Sequence, residues 1–543
     1  MPFRRLMQTL MFSLFLGLLL FTAAPFVSTV PVDAFVRMDP LLWLGAMLSL
    51  KTWVAGFGAA VVLLCATLLL GRFFCSHICP LGTTQDLVRP LWGGKANRHS
   101  FHPKRWRRWK YLILIGLTGA ALYGLNLTHW GSPTALAARF YGLVVLPLVD
   151  FAAGPLKTSA RSILERSGSP LAFAGQKEAL VGGLAILVLL FLTVLVLTRV
   201  SPRFWCRCLC PTGAVLALVG RRPLIARTVS SDCTSCGLCA AGCPMGAIPS
   251  DRPDTVSRGE CIACRRCEQV CPEGAIRFAA EGWPRAAEKS ASPSRRGVLL
   301  ALGSGLVLAF AGRRGLGEYW PASERGHVMP EGLVRPPGSV PEIDFLNRCV
   351  RCGLCMKACP TNMLQPAWLE NGLSGMFSPL AVARRGPCEP ECNACGQVCP
   401  TRAILPLPPG EKAWAKMGTA VIDRSTCLAW EYGRACLICD ESCPYDAIRL
   451  VREEGVEPAV PVVDEFKCAG CGYCENHCPV QAEAAIRVTP MAALRLGPGE
   501  GPFQARGREM GLDIRRNRSA GPPPSPAPVS EDESQGLPPG FSP

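Results

Sequence analysis

The chain has 543 residues, thirty of them cysteine, with 49% apolar composition and a formal net charge of +16. That length exceeds what one hydrophobic core usually supports, and cysteines in tight clusters exclude a scattered disulfide scaffold in favour of metal binding. The basic balance does not indicate nucleic acid, because Arg and Lys gather beside apolar segments, where the positive-inside rule places them.

Residues 6–27, 52–71, 111–130 and 179–198 each reach the roughly 20 apolar residues that crossing a bilayer requires. The run 140–149 is shorter and reads as an interfacial or re-entrant piece. Arg4 and Arg5 precede the first span, residues 72–110 carry Arg and Lys against Asp86 alone, and Arg199, Arg203, Arg207, Arg221 and Arg222 follow the fourth. These three regions belong on the cytoplasmic side. The stretch KRWRRWK at 104–110 interleaves Trp with charge and reads as a membrane-interface anchor.

The stretch GRFFCSHICPLG follows the second span, and PRFWCRCLCPTG follows the fourth as its near repeat. The topology puts both Cys-x3-Cys-Pro knots on one membrane face, where they can meet. Cys75, Cys79, Cys206 and Cys210 suit one more all-thiolate cluster or a zinc ion. They equally suit two dithiols cycling with disulfides, or a structural role. Cys208, standing where the first knot has His77, reads as a spare small residue, and Cys65 as buried packing within a span.

Residues 231–285 form a cysteine-dense cytoplasmic unit. Cys233, Cys236, Cys239 and Cys243-Pro244, then Cys261, Cys264, Cys267 and Cys271-Pro272, both match the bacterial ferredoxin run C-x2-C-x2-C-x3-C-P. Three thiolates spaced by two residues curl around one iron–sulfur cube, and the fourth reaches the neighbouring cube. Crossed ligation therefore predicts one 4Fe-4S cluster on Cys233, Cys236, Cys239 and Cys271, and another on Cys261, Cys264, Cys267 and Cys243.

In the linker 286–345, Ser294-Arg295-Arg296 precedes an apolar run over 297–312 whose length fits a signal h-region. It resembles a twin-arginine export signal set inside the chain, with a fifth membrane anchor as the alternative. Residues 346–490 hold four more motifs. Two are strict: Cys349, Cys352, Cys355, Cys359, and Cys468, Cys471, Cys474, Cys478. Two are looser: Cys388, Cys392, Cys395, Cys399, and Cys427, Cys436, Cys439, Cys443. All four end in Cys-Pro, which zinc knuckles do not need, so six 4Fe-4S clusters are expected in all, with a seventh if the knots hold one. From 491 to 543 the chain becomes rich in Pro, Gly and Ser and is expected to be disordered.

No C-x-x-C-H motif occurs and no histidine pair sits within a span at a spacing for b-haem, so no haem is expected. No Gly-rich dinucleotide fingerprint opens a helix after a strand, so no NAD is expected. Electrons then enter and leave through clusters or a lipid-soluble carrier, for which quinol is the simplest candidate. His129 and Trp130 are weak candidates for its site, interfacial anchoring being the plainer reading.

Residues 1–280, with four spans, two Cys-x3-Cys-Pro knots and a two-cluster unit, resemble the NapH/MauN family of membrane ferredoxins. Residues 294–490, with the twin-arginine-like leader and four motifs, resemble the NapG/MauM family of periplasmic ferredoxins. The expected fold class is thus an α-helical four-span membrane domain (1–230) plus α+β bacterial-type ferredoxin domains, one two-cluster and one four-cluster. The resemblance implies an inner-membrane protein with a cytoplasmic N-terminus and a periplasmic four-cluster domain. It would oxidise quinol for a periplasmic nitrate-reductase chain, its partners being membrane lipid, the quinol pool and a c-type cytochrome or reductase. The Mau branch implies instead a donor or maturation ferredoxin for an enzyme such as methylamine dehydrogenase. The likeness of NapG to beta subunits of the dimethyl sulfoxide reductase group implies outer-to-outer pairing. Cys478 would then complete the site of Cys349, Cys352 and Cys355, and Cys359 that of Cys468, Cys471 and Cys474. Cys443 would join Cys388, Cys392 and Cys395, and Cys399 would join Cys427, Cys436 and Cys439. Spacing alone also allows sequential pairing.

Overall fold

A computed structural model describes residues 2–22, 30–54, 56, 58–92, 103–153, 184–280, 294–317, 333–368, 372–453, 456–481 and 483–514. The N-terminal part is helical: α1 Pro2–Leu20, α2 Pro40–Leu50, α3 Gly58–Leu70, α4 Pro80–Val88, α5 Pro103–Leu122, α6 Pro133–Ala152, α7 Leu184–Val200 and α8 Pro211–Val219. Four of these begin with Pro in the first turn behind a capping residue: Asp39, Cys79, Ser132 and Cys210. There the missing N–H costs nothing and the fixed φ favours the helix. Asp39 does more than cap. Its buried carboxylate accepts from Leu41 N (3.0 Å), Ser132 Oγ (2.6 Å), Thr134 Oγ1 (3.0 Å) and Thr212 Oγ1 (3.0 Å), tying α2, α6 and α8 together.

Among the described residues two helices are long and apolar enough to cross a membrane, Phe3–Leu20 and Pro133–Ala152; Pro40–Leu50, Gly58–Leu70 and Ala185–Val200 are apolar but shorter. The second of these corrects the reading of 140–149 as a short interfacial piece. The helix begins seven residues earlier, at Pro133, through small, buried Ala135, Ala137 and Ala138. Arg139, which broke the apolar run in sequence, is itself buried, donating to His129 O at 2.9 Å. The expected span 111–130 is likewise shifted, because α5 starts at Pro103, ahead of the basic stretch, and ends at Leu122.

The twin-arginine-like segment forms one helix, α9 Arg295–Gly317. It lies along α5 at glycine contact distance: a Cβ on Gly305 would collide with the Gly116 carbonyl and stand 3.0 Å from Ala120 N, and one on Gly119 would touch Leu302. Small residues at such a seam let two helix backbones approach closely.

The two-cluster unit closes through antiparallel β1 Ile225–Val229 and β2 Ile276–Ala280, in register from Ile225↔Ala280 to Val229↔Ile276. Beyond β3 Leu364–Pro366 and β4 Pro379–Ala381, the same closure returns. β5 Thr419–Ile422 precedes the motif of Cys427, and β8 Ile486–Thr489 follows Cys478 and pairs with it, Ile422↔Ile486. The hairpin β6 Ile448–Glu453 and β7 Val456–Val463 is inserted between their motifs. A reduced version joins 338–340 to 403–405: Ser339 bridges Ile404, Val340 N donates to Ala403 O (3.1 Å) and Leu405 N to Gly338 O (2.9 Å). The segment 346–490 is therefore two consecutive folds of two cysteine motifs each.

The expectation of disorder from 491 onward starts too early. Leu494, Leu496, Phe503, Leu512 and Ile514 are buried, α10 Phe503–Glu509 packs on Trp414, and Arg495 bonds Glu342 (3.0 Å). The apolar residues are spaced too sparsely among Gly and Pro to signal a helix; residues 515–543 lie outside the described set.

The α5–α9 seam predicts that Gly305→Leu lowers the thermal unfolding midpoint by the equivalent of about 1–3 kcal/mol of overpacking strain, while Gly303→Leu, with open space around it, leaves it unchanged.

Candidate metal centres

The motif loops turn by left-handed residues. Ser235 (φ 55°), Gly237, Ala263 (φ 49°) and Arg265 (φ 55°) each sit between consecutive cysteines of the two-cluster unit, and Arg351 (φ 48°), Gly353, Gly470 and Gly472 do so downstream. Such φ values cost free energy in non-glycine residues and persist where the surroundings require them. Here they turn successive thiols towards a common side.

In the two-cluster unit Cys243, Cys261, Cys264 and Cys267 surround one cavity lined also by Arg227, Met245, Ile262 and Phe278. Cys243 thus stands with the second motif, as crossed ligation requires. Cys233 lies beside Cys239, Cys271 joins the apolar cluster around Cys239, and Cys236 is exposed. Arg227 Nη2 approaches Cys239 Sγ at 3.6 Å.

In the four-motif segment the outer-to-outer pairing is corrected. Cys349, Cys352 and Cys355 ring a cavity with Cys399, and Cys388, Cys392 and Cys395 gather with Cys359. Cys427, Cys436 and Cys439 share a cavity with Cys478, and Cys468, Cys471 and Cys474 stand with Cys443. The reason is strand closure. Each two-motif fold pairs its own first and last strands, so thiols exchange between neighbouring motifs and not between the ends of the segment. The backbone supports these positions: Ala247 N and Ala447 N donate to Cys243 and Cys443 Sγ at 3.3 Å each, Ala420 N to Cys468 Sγ at 3.4 Å, and Ile404 N to Cys399 Sγ at 3.5 Å.

The donor sets fit an iron–sulfur cube better than a single ion. Among the described residues no three His, Cys, Asp or Glu side chains close around one metal ion; three of the quartets instead ring apolar cavities. Burial, the largest cause, pushes the Cys261, Cys267 and Cys439 thiols up to about 12, a barrier that ligation by iron removes. Buried cations not evident from the motifs face other thiols of the quartets: Arg139 beside Cys352, Lys412 beside Cys388 and Lys416 beside Cys468. Only their proximity in the fold reveals them.

The helical part meets ferredoxin folds at both ends of α5. At its start, Glu260 receives Lys110 Nζ (2.5 Å), Arg72 Nη1 (3.1 Å) and Tyr111 Oη (3.1 Å), and Arg107 donates to Met245 O (2.9 Å). The basic stretch is therefore more than an interface anchor: Arg107 and Lys110 dock the two-cluster unit while Trp106 and Trp109 stay exposed. Past its other end, Asn126 Nδ2 and Ser49 Oγ donate to Asn347 O (2.8 and 3.4 Å), and Arg351 donates to Asn126 O (2.9 Å) and reaches His129 Nδ1 (3.0 Å). His129 is thus fully buried under the first downstream motif, and Trp130 packs edge-on against Phe377, which corrects the interfacial reading of both. Cys75, Cys79, Cys206 and Cys210 come together, Cys208 turns towards Arg207 and Arg107, and Cys65 is exposed on α3, not buried.

A family model described as a 4Fe-4S binding domain matches residues 52–99 and 183–230, and two described as 4Fe-4S dicluster domains match 232–276, and 260–363 with 434–482. The chain is 38% identical over 247 residues to the methylamine utilization ferredoxin-type protein MauM of Methylophilus methylotrophus, covering 96% of that protein and 43% of this chain. It is 38% identical to MauM of Methylorubrum extorquens (97% of that protein, 39% of this chain) and 39% identical to the ferredoxin-type protein NapG of Escherichia coli (71% and 29%).

Sequential pairing predicts an iron count. The double variant Cys349→Ser/Cys399→Ser loses one cluster, about 4 iron atoms per chain, and Cys399→Ser/Cys478→Ser loses twice that. Under outer-to-outer pairing the first double variant would already lose two clusters.

Proposed function

We propose that this chain, which belongs to the MauM/NapG family of multi-cluster bacterial ferredoxins, is an electron-transfer protein serving a periplasmic enzyme as donor or maturation ferredoxin, methylamine dehydrogenase being the enzyme its MauM relatives suggest. The observation that carries this reading is the alignment along 96% and 97% of two MauM proteins at 38% identity. The six thiol quartets of the ferredoxin folds hold 4Fe-4S clusters, which when bound supply one-electron carriers. The chain's own residues do the rest. Left-handed turns orient the thiolates, Arg227, Arg139, Lys412 and Lys416 offset their charge, and apolar linings exclude water. Low dielectric makes each of those charges count for more than it would in water.

The helical part is read as a NapH/MauN-like membrane unit with the N-terminus and 231–285 cytoplasmic and the later ferredoxin folds periplasmic. The docking contacts at opposite ends of α5, a helix of about 30 Å by its rise per residue, support that arrangement. So do the exposed Leu299, Leu300, Val307 and Phe310 on α9, which offer an apolar face to lipid. In this reading α9 stays as an anchor. Electrons leave the periplasmic folds to a c-type cytochrome or to the enzyme itself.

A second reading, favoured by the 39% identity to NapG, has the helical unit oxidise quinol and feed a nitrate-reductase chain. Gene deletion separates the two. The Mau-type reading predicts an amine dehydrogenase that accumulates without its mature cofactor while quinol-dependent nitrate reduction continues at the parental rate; the reverse pattern refutes it.

A further inference from the structure

The two stretches matched as a 4Fe-4S binding domain each bring only two knot cysteines, Cys75 with Cys79 and Cys206 with Cys210. Neither half alone offers the four thiolates a cluster needs. The fold joins them. All four are buried, 4–9% exposed, and within electrostatic reach of one another.

The halves are related by a swap. Each knot opens Arg-Phe-aromatic-Cys and closes Cys-Pro-x-Gly, and each glycine N–H donates to the preceding cysteine sulfur at a helix start, Gly213 N to Cys210 Sγ at 3.2 Å and Gly82 N to Cys79. Arg203 of the second knot crosses to the first, donating to Cys75 O (2.6 Å) and Gly82 O (3.3 Å). Arg72 of the first crosses to the second, its Nη2 so close to Gly213 that a Cβ there would stand 2.8 Å away. Glycine is needed at both positions because the partner's arginine and a cysteine carbonyl occupy the space.

Around this quartet lie buried N–H groups with no acceptor among the described residues: Gln85 Nε2, Arg72 Nε and Arg72 Nη2. Gln85 is 1% exposed, with its Oε1 at 3.9 Å from Cys206 Sγ, and Arg72 is 0% exposed. Buried donors without partners cost free energy; with Gln85 beside Cys206 and Arg72 near Cys75 and Cys210, they point to acceptors that the protein does not itself supply.

We propose that Cys75, Cys79, Cys206 and Cys210 together bind one iron–sulfur cluster, shared between the two knots, with Gln85 and Arg72 donating to its sulfurs and Arg72 and Arg203 balancing its charge. The thiols give up their protons on ligating iron. The site goes beyond the partner question above and needs neither the Mau nor the Nap reading. It lies against the two-cluster unit: Ser76 Oγ donates to Ile262 O (2.7 Å), inside the loop from Cys261 to Cys264, and Arg72 joins Glu260 beside Cys261. It is therefore a relay next to the cytoplasmic quartets.

The test is iron and acid-labile sulfide in the full-length chain purified without oxygen, with EPR of the ferredoxin clusters as the check on folding. Cys79→Ser and Cys210→Ser are each expected to lose the same iron, about 4 atoms for a cube or about 2 for a 2Fe-2S centre, and the double variant no more than either. Cys208→Ser loses none. Unchanged iron in the single variants, additive loss in the double, or zinc in place of iron would each overturn the assignment. If the cysteine variants do not fold, Gln85→Leu decides: full iron with one cluster's midpoint potential lowered supports the site, and unshifted potentials throughout refute it. None of these outcomes depends on a partner enzyme, so they stand apart from the deletion experiment.

Discussion

Closure of a short antiparallel strand pair around two cysteine motifs determines nearly everything else in this molecule. Once the strand before the first motif lies beside the strand after the second, each motif's fourth thiol has only its neighbour to join. At 225–280 and 419–489 the closure is a full ladder; at 338–405 it has shrunk to one bridge and two flanking hydrogen bonds, and the same four-plus-four exchange survives. At Cys261, Cys267 and Cys439 burial disfavours the thiolate. Arginines, lysines and backbone N–H groups directed at the sulfurs provide the compensating field.

The helices supply a frame with ferredoxin folds at both ends. Glu260 is the pivot at one end, receiving two cations and a tyrosine hydroxyl in a dry site where truncating it would leave Arg72 and Lys110 uncompensated. At the other end the contacts are made to backbone carbonyls, Asn347 O and Asn126 O. Between them, Asp39 holds three helices through hydroxyl donors. Carboxylates and carbonyls thus fix the geometry that apolar packing alone would leave free to slide, a division of labour in keeping with the weak directionality of the hydrophobic effect.

Much of this was legible in the residues. Cys-x2-Cys-x2-Cys-x3-Cys-Pro points to the gathering of Cys243 with Cys261, Cys264 and Cys267, and the charge around residues 72–110 and after 198 anticipates that the knots would meet. Other features carry no local signal. The stub at 338–340 has neither length nor alternation to mark it as a strand, so the pairing followed from analogy and was misplaced. Arg139 broke the apolar run of α6 because a sequence does not show that a charge will be buried and bonded. The fold of residues 494–514 depends on Trp414 and Glu342, both distant in the chain. Lys412, Lys416 and Gln85 become chemically meaningful only once their neighbours are known.

The account rests on thiol quartets built for inorganic cubes and not for single ions. Mössbauer spectroscopy of the chain produced with iron-57 under anaerobic conditions tests this most directly. Delocalised cubane quadrupole doublets that account for the ferredoxin-bound iron, accompanied by equimolar sulfide, are the result expected. Isolated tetrathiolate iron, or stoichiometric zinc with no sulfide, would contradict it.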